Sequence, residues 1–211
     1  MDAERRRAIL GDARLYLVTD GDVEGARVAL ASGVDLVQLR MKDAPDEQVL
    51  ETAGAFREAC PLLIVNDRPD LALAAGADGV HVGQDDMSPE EARAIVGADM
   101  LVGVSTHSRA QVAAADRSAA DYFAVGPVHE TPTKAGRPAV GLGLVRYAAA
   151  RATNPWFAIG GIDPENVRDV VTAGARRIVV VRAIRDAPDP RAAAAELRAA
   201  LEREAVGGAV C

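Results

Sequence analysis

The sequence predicts an α/β protein whose strands and helices alternate along the whole chain. A short pattern, in which Gly stands two residues before Asp and an apolar run follows, recurs at Gly33 and Gly76, 43 residues apart. Ala119 takes the place of the glycine after another 43 residues, and a fourth copy at Gly174 has Arg176 where the others have Asp. A Gly directly after a helix supplies a left-handed cap, and a strand comes next. Each period therefore holds two strand–helix units, and four periods give the eight units of a single (β/α)8 TIM barrel.

Each predicted strand is a short, nearly continuous apolar run, as expected for a parallel sheet that is covered on both faces. Residues 62–66, which read Leu-Leu-Ile-Val-Asn, are the clearest case. The eight strands are predicted at 15–19, 36–40, 62–66, 79–82, 101–105, 121–125, 156–159 and 177–181.

Helices are predicted between the strands from capping residues and from apolar residues three or four positions apart. The strongest start is Ser88, because Ser caps a helix, Pro89 suits its first position and the two glutamates that follow favour its first turn. Asp20 and Asp163 are interpreted as helix caps in the same way. The helices are predicted at 23–31, 46–59, 69–74, 108–115, 142–152, 163–173 and 190–203, with one more that starts at 88.

Composition limits the class of protein. The 211 residues suit one domain, predicted over 1–211 with the barrel at about 14–203, a short N-terminal segment and a flexible C-terminal tail. The net charge of −7 argues against nucleic acid and against an anionic membrane surface as partners. The sequence shows no signal peptide and no membrane-spanning run, and two distant cysteines, Cys60 and Cys211, fit a reducing cytoplasm. A homo-oligomer is left open.

One loop breaks the regular pattern. Residues 126–141 show neither the period of a strand nor that of a helix, and they contain three prolines and three glycines. The last repeat is 12 residues longer than the others, which is about the length of this loop. Long structureless connections in compact domains are uncommon and usually functional. We therefore expect the loop after the sixth strand to carry site residues.

Cationic and polar residues follow the strands, where this fold carries its chemistry. They are Arg40, Lys42 and Lys134, with Asn66 and Ser105. The set suits a pyrophosphate, for which Arg is a bidentate donor and Lys a point charge. Lys42 and Lys134 are the only lysines among 24 basic residues, which favours two sites that require an ammonium over a chance bias toward arginine.

Carboxylates form a second group at the strand ends. Asp67 follows the third strand, and Asp85 or Asp86 follows the fourth, which is its neighbour in the barrel. Mg²⁺ binds one or two carboxylates together with substrate oxygens. The sequence therefore predicts a magnesium site beside the pyrophosphate.

A second anion site is predicted at Gly160, Gly161 and Arg182, because this fold often binds a phosphate after its seventh and eighth strands. Two anion sites imply two anionic substrates, one that loses pyrophosphate and one that brings a nucleophile. No Ser-His-Asp or Cys-His arrangement indicates covalent catalysis.

The three histidines, His81, His107 and His129, suggest an alternative zinc site at the barrel mouth. They lack the ligand pairs at helical or short-loop spacing that zinc sites usually have. His81 lies within a predicted strand and is interpreted as a hydrogen-bonded core residue.

Six segments stand in a characteristic order along the chain: Gln38-Leu39-Arg40-Met41-Lys42, Asn66-Asp67, His81-Val82-Gly83-Gln84-Asp85-Asp86, Gly103-Val104-Ser105-Thr106-His107, Thr131-Pro132-Thr133-Lys134 and Gly160-Gly161-Ile162. Together they resemble the thiamine-phosphate synthase family, and the resemblance extends from the first strand through the eighth. The resemblance implies a Mg²⁺-dependent transferase that joins hydroxymethylpyrimidine pyrophosphate to a thiazole phosphate and forms thiamine phosphate. In that reaction the pyrimidine-CH₂–O bond ionises, and the thiazole nitrogen then attacks the cation.

The resemblance also implies a role for individual residues. Asp67 and Asp86 would bind Mg²⁺, and Arg40, Lys42, Ser105 and Lys134 would act in catalysis. The pyrimidine pyrophosphate would be held by Gln38, Leu39, Arg40, Met41, Lys42, Asn66, Ser105 and Lys134. The thiazole phosphate would be held by Thr131, Pro132, Thr133, Gly161, Val181 and Arg182.

Two other functions fit the same fold. A related thiazole tautomerase keeps a histidine like His107 but lacks the full Gln-x-Arg-x-Lys and Asn-Asp segments, both of which are present here. A catalytically silent barrel that binds phosphorylated ligands as a regulator has less need of the pair Asp67 and Asp86. Both comparisons favour the synthase.

Overall fold

Eight parallel strands form a closed barrel, which confirms the predicted (β/α)8 TIM barrel. The computed structural model of the chain describes residues 1–131 and 138–207, with side chains up to residue 203. The strands are β1 Leu15–Thr19, β2 Leu36–Leu39, β3 Leu63–Asn66, β4 Gly79–Val82, β5 Leu101–Thr106, β6 Tyr122–Val125, β7 Trp156–Ile159 and β8 Ile178–Val180. Each strand pairs with the next one along the chain, and β8 closes the ring by pairing with β1, where Leu15 lies opposite Ile178.

The helices of the described residues surround the barrel, and two of them have no counterpart in the sequence prediction. They are α1 Ala3–Asp12, α2 Val23–Leu30, α3 Asp46–Arg57, α4 Pro69–Ala74, α5 Pro89–Val96, α6 Arg109–Ala115, α7 Gly141–Arg151, α8 Val167–Thr172, α9 Arg182–Arg185 and α10 Pro190–Gly207. Helix α1 buries only Leu10, so its sequence shows no apolar stripe. Helix α9 has four residues, too few to show a helical period. The predicted tail beyond residue 207 lies outside the described residues.

The predicted helix caps have mixed outcomes. Ser88 caps α5 in a full capping box with Glu91. Asp163 accepts backbone N–H bonds in the turn that leads into α8. The prediction for Asp20 is wrong, because Asp22 caps α2 and Asp20 instead pairs with Arg185 at 3.2 Å.

The alternation of side chains along the strands divides the core into two layers. Residues of one parity, such as Leu17 and Val37, pack against the helices. Residues of the other parity fill the barrel interior, where the rings of Tyr16, Tyr122 and Phe157 pack edge to face with centroids 5.5 to 6.1 Å apart. Leu10 and Ala13 join this interior cluster, so the end of α1 closes the barrel where its strands begin.

The aspartates of the repeated sequence pattern join neighbouring strands where they begin. Asp35, Asp78 and Asp121 each precede an even-numbered strand, and each carboxylate accepts a backbone N–H bond of 2.8 to 3.0 Å from the start of the preceding strand. Each carboxylate also forms an ion pair with an arginine of α10 or α1. These arginines are Arg198, Arg6 and Arg7 respectively. The repeat therefore marks structural contacts at the end of the barrel opposite the strand ends.

Within residues 1–131 and 138–207, no helix combines the length and the apolar composition that crossing a bilayer requires.

We expect Asp121→Ala to lower the free energy of unfolding by about 3 kcal/mol, because a largely buried carboxylate with several partners is lost. Its carboxylate binds Arg7, Arg93 and the Val102 N–H. Chemical denaturation measures the change. The matched control is Asp46→Ala, which removes an exposed partner of Arg68 and should leave stability nearly unchanged. Equal effects of the two variants would contradict the assigned role of Asp121.

Candidate active site

Two adjoining cavities open where the strands end. The larger has a volume of about 360 Å³ and the smaller about 80 Å³. Ile159, Val179 and Val181 line both, so the cavities share one wall built by β7 and β8. A ligand in one cavity therefore lies next to a ligand in the other.

The smaller cavity gathers the polar residues that the sequence places on separate strand ends. Side chains alternate along a strand, so Gln38 of β2, Arg40 directly after β2 and Ser105 of β5 all point into the barrel, where they line this cavity. Lys42 and Asn66 line the same cavity. The predicted carboxylates that line this cavity are Asp67 and Asp86, whereas Asp85 is not among its lining residues.

A connected set of buried polar side chains lies along the inner wall of this cavity. Gln38 Nε2 donates to the Tyr16 hydroxyl at 2.7 Å, and the Tyr16 and Tyr122 hydroxyls are 3.1 Å apart. His81 follows, with Nδ1 3.2 Å from the Tyr122 hydroxyl and Nε2 3.0 Å from Ser105 Oγ. His81 is thus a hydrogen-bonded core residue, as predicted. The sequence analysis missed both tyrosines, whose only signal is their inward parity on β1 and β6.

Asp67 occupies an unusual backbone position directly after β3. Its φ of 61° is the only positive φ of a non-glycine residue in the described part of the chain. Its N–H donates to the His81 carbonyl at 2.8 Å, which holds the strand end in place. Positive φ is uncommon for any residue with a Cβ and is tolerated most readily by Asp and Asn.

Electrostatics around Asp67 are equally unusual. Burial and the neighbouring carboxylate of Asp86 raise the pKa of Asp67. Lys42 partly compensates, with Nζ 3.5 Å from Asp67 Oδ2. Asp86 is fixed from its other side, because its Oδ2 accepts the Gly83 N–H at 2.9 Å. The arrangement holds two carboxylates and one ammonium together at the rim of the smaller cavity.

The larger cavity lies between the ends of β6, β7 and β8. Gly160 and Gly161 both have positive φ, 104° and 63°, where the chain leaves β7. Thr131 and Arg182 line the cavity as the sequence analysis expects. Acidic residues are also present, and two of them are already engaged: Asp163 accepts backbone N–H bonds of its own turn, and Asp186 pairs with Arg185. The sequence analysis named Asp163 only as a helix cap and did not name Asp186, because the strand-end signal does not separate such residues from ordinary turn residues.

Several predicted site residues lie elsewhere. Leu39 has outward parity and is buried in the layer between strands and helices, and it is not among the residues that line the smaller cavity. Met41 packs against the same layer, and a Cβ added at Gly21 would lie 3.4 Å from its sulfur. Pro132, Thr133 and Lys134 lie outside the described residues.

Metal-binding groups are sparse in the described part of the chain. There, no three side chains among His, Cys, Asp and Glu converge as a metal site. His107 Nδ1 pairs with the Gly126 carbonyl, and His81 uses both ring nitrogens within the barrel. The carboxylates of Asp67 and Asp86 are the pair that could share one cation, provided that a ligand supplies further oxygens.

We expect Gly161→Ala to lower the free energy of unfolding by about 1–3 kcal/mol, because positive φ and a close contact both exclude a side chain there. A Cβ at this position would lie 2.7 Å from His129 Cβ and 2.9 Å from the Glu130 carbonyl oxygen. Thermal and chemical denaturation measure the change. Gly54→Ala is the control, since nothing lies within 4 Å of its added Cβ in the middle of α3 and stability should rise. A Gly161→Ala protein as stable as the wild type would contradict this account of the loop.

Known proteins are similar in sequence to this chain over most of its length. A family model described as thiamine monophosphate synthase, TMP-TENI, matches residues 15–184. The thiamine-phosphate synthase of Acidothermus cellulolyticus is 54% identical over 207 residues, which cover 92% of this chain and 98% of that protein. The thiamine-phosphate synthase of Mycolicibacterium smegmatis is 53% identical over 209 residues, which cover 90% and 92%.

Comparison with solved structures indicates the same family and the same fold. The thiamine phosphate pyrophosphorylase of Pyrococcus furiosus has a TM-score of 0.84 at 35% identity, with 92% of this chain and 98% of that chain covered. The 3-hexulose-6-phosphate synthase of Salmonella typhimurium has a TM-score of 0.70 at 22% identity and shows the shared fold alone. Because the family model spans most of the chain and the relatives match it nearly throughout, the chain belongs to the thiamine monophosphate synthase family.

Proposed function

We propose that the chain is a thiamine-phosphate synthase. It condenses 4-amino-2-methyl-5-(diphosphooxymethyl)pyrimidine with a thiazole phosphate and releases pyrophosphate. The observation that carries the proposal is the smaller cavity, which combines Arg40 and Lys42 with two carboxylates and with buried hydrogen-bonding groups. A site with these groups can hold a flat polar ring at its base and a charged leaving group at its rim.

The cations at the rim stabilise the leaving group. When the bond between the pyrimidine methylene carbon and the pyrophosphate oxygen breaks, the electron pair stays on the pyrophosphate. Arg40 and Lys42 face that negative charge, and Lys134, in the loop outside the described residues, is proposed as a third cation. Preorganised positive charge lowers the barrier to such a step without any protein base. Gln38, Asn66 and Ser105 hold the pyrimidine, to which Leu39 and Met41 contribute through their backbone.

The pair Asp67 and Asp86 suits Mg²⁺. Two carboxylates lie side by side in a partly buried position, and their repulsion contributes to the raised pKa of Asp67. Oxygen ligands of this kind, completed by phosphate oxygens, are what Mg²⁺ prefers. When bound, the ion would neutralise charge on the pyrophosphate. Lys42 then has two tasks, since it neutralises Asp67 in the unliganded protein and faces the pyrophosphate in the complex.

The larger cavity is the proposed thiazole phosphate site. Thr131, Gly161 and Arg182 line it, with Val181 on the wall that it shares with the smaller cavity. Pro132 and Thr133, outside the described residues, are proposed to complete it. Because the two cavities share a wall, the thiazole nitrogen is proposed to lie beside the pyrimidine methylene carbon, and its lone pair forms the new C–N bond after ionisation. The enzyme is proposed to be cytoplasmic, and its oligomeric state is to be measured.

The first experiment measures pyrophosphate release from the pyrimidine pyrophosphate, with and without Mg²⁺ and with and without the thiazole phosphate. We expect release of one pyrophosphate per thiamine phosphate formed, and only when all three components are present. A protein that binds these ligands in calorimetry but releases no pyrophosphate would be a tautomerase or a non-catalytic regulator instead.

We expect both Lys42→Ala and Lys42→Arg to lower kcat for this reaction by about 100-fold, the usual cost of losing one preorganised charge-stabilising group. The planar guanidinium is larger than an ammonium and cannot replace it as a point charge between Asp67 and the ligand. Steady-state kinetics at saturating Mg²⁺ measure the effect. Arg109→Lys is the control, because it exchanges the same two head groups on α6, where Arg109 lies over the Tyr147 ring. Wild-type kcat in Lys42→Arg would mean that charge alone matters at this position.

A further inference from the structure

A continuous chain of five hydrogen-bonded side chains crosses the barrel interior beneath the smaller cavity. It runs in the order Gln38, Tyr16, Tyr122, His81, Ser105, with successive distances of 2.7, 3.1, 3.2 and 3.0 Å. The five residues come from five different strands, and each is at most 7% exposed. Only the two ends, Gln38 and Ser105, belong to the proposed pyrimidine site. The three middle residues have no part in the proposed function so far.

The hydrogen bonds of this set all donate in the same direction, because each phenol has only one proton to donate. Burial raises the pKa of Tyr16 and of Tyr122 well above the ordinary range, so both hydroxyls keep their protons. The Tyr16 oxygen accepts the Gln38 amide N–H, and its own proton is therefore donated to Tyr122. Tyr122 in turn donates to His81 Nδ1.

The direction continues through the imidazole. A neutral histidine that accepts at Nδ1 carries its proton on Nε2. His81 Nε2–H therefore donates to Ser105 Oγ, and the Ser105 hydroxyl proton is directed to a ligand. At the other end, one N–H of the Gln38 amide donates to Tyr16, so the opposite arm of the amide presents Oε1 to a ligand. The cavity thus offers one acceptor at Gln38 and one donor at Ser105.

The opposite direction is self-consistent only if every member reverses. A rotated Gln38 amide would accept from Tyr16, Tyr122 would donate to Tyr16, and His81 would carry its proton on Nδ1. Ser105 would then donate to His81 and offer an acceptor to the ligand. The two ends are therefore coupled through three buried side chains, and one end cannot change without the other.

We infer that Tyr16, Tyr122 and His81 are positioning residues that set the hydrogen-bond polarity of the pyrimidine site and select an aminopyrimidine over its oxo analogue. The substrate class rests on the proposed function. An amino group donates to Gln38 Oε1, and a ring nitrogen accepts from the Ser105 hydroxyl. A 4-oxo pyrimidine carries a proton on the adjacent ring nitrogen, so it presents an acceptor and a donor where the aminopyrimidine presents a donor and an acceptor. It opposes both Gln38 Oε1 and the Ser105 hydroxyl proton, and it is matched only when every member of the hydrogen-bonded chain reverses.

The packing is arranged for this chain. Gly103 on β5 has no side chain where Tyr122 and His81 meet, and a Cβ there would lie 2.2 Å from Tyr122 Cζ and 2.6 Å from His81 Nδ1. The Tyr122 ring is held between His81, Tyr16 and Phe157, with centroids 5.5 to 6.1 Å away. Rigid neighbours hold the rings in place, so reversal requires a change of tautomer at His81 rather than a movement of the rings.

The first test is the tautomer of His81 in the unliganded wild-type protein, by ¹⁵N NMR of histidine-labelled protein. The protein has three histidines, and comparison with the spectrum of His81→Asn identifies the signal of His81. We expect a neutral ring with the proton on Nε2. A proton on Nδ1 would show the reversed direction, and a doubly protonated ring would break the chain, so either result overturns the inference. This test needs no catalytic activity and stands whether or not the proposed function holds.

The second test compares kcat/KM for the 4-amino and the 4-oxo pyrimidine pyrophosphates. We expect the wild type to prefer the amino compound by about 100-fold or more, as sites that hydrogen-bond a substrate group do. Tyr122→Phe removes the middle hydroxyl and uncouples the two ends, so the ratio should fall at least tenfold. Tyr147→Phe on α7 is the matched control, since it removes a hydroxyl outside the chain and should keep the wild-type ratio.

The outcomes of this test separate a specificity role from a structural one. A folded Tyr122→Phe protein that loses rate equally with both substrates, at an unchanged ratio, would overturn the inference. If Tyr122→Phe does not fold, Tyr16→Phe interrupts the chain one bond earlier and is judged by the same ratio. If the wild type forms no thiamine phosphate from the amino compound, the proposed function fails, and the tautomer of His81 still decides the inference.

Discussion

Closure of the eight strands is the constraint on which the other features of this molecule depend. Once β8 pairs with β1, the parity of every strand residue is fixed, and half of the side chains must fill a narrow interior. The same closure brings the eight strand ends to one rim. Gln38 and Ser105, which are 67 positions apart in sequence, therefore line one cavity. The carboxylates of Asp35, Asp78 and Asp121 link the strands at the opposite end, so the rim can carry groups chosen for chemistry rather than for stability.

The rim carries features that stability alone would not favour. Asp67 has a positive φ, and it faces the carboxylate of Asp86 in a partly buried place. Each feature costs free energy in the unliganded protein, and Lys42 offsets only part of the electrostatic cost. In the proposed function, a Mg²⁺ ion bound together with the pyrophosphate would supply the countercharge that the two carboxylates lack. The electrostatic cost in the unliganded protein would then be offset when the ligand binds.

Much of the fold could be predicted from the sequence, because buried parallel strands are short apolar runs and the repeated Gly and Asp mark where they begin. The strand ends then identified Arg40, Lys42, Asn66, Asp67 and Ser105 as neighbours in space. Helices α1 and α9 escaped prediction, since one lacks an apolar stripe and the other is a single turn. Tyr16 and Tyr122 escaped for a different reason. An inward tyrosine has the same sequence pattern as an inward phenylalanine such as Phe157, and only the position of its hydroxyl in the closed barrel distinguishes a hydrogen-bonding role from a packing role.

The role inferred for the hydrogen-bonded side chains between Gln38 and Ser105 accounts for how a rim built from loops can be selective. Loops after strands adjust to their ligands, and a cation or a carboxylate on such a loop accepts many phosphates alike. The interior side chains adjust less, because they are buried among aromatic rings and strand backbones and border only the cavity itself. Charge recognition at the rim and hydrogen-bond recognition at the base are therefore carried by parts of the molecule with different rigidity. In the proposed function, the rim holds the pyrophosphate, and the fixed interior distinguishes the ring to which it is attached.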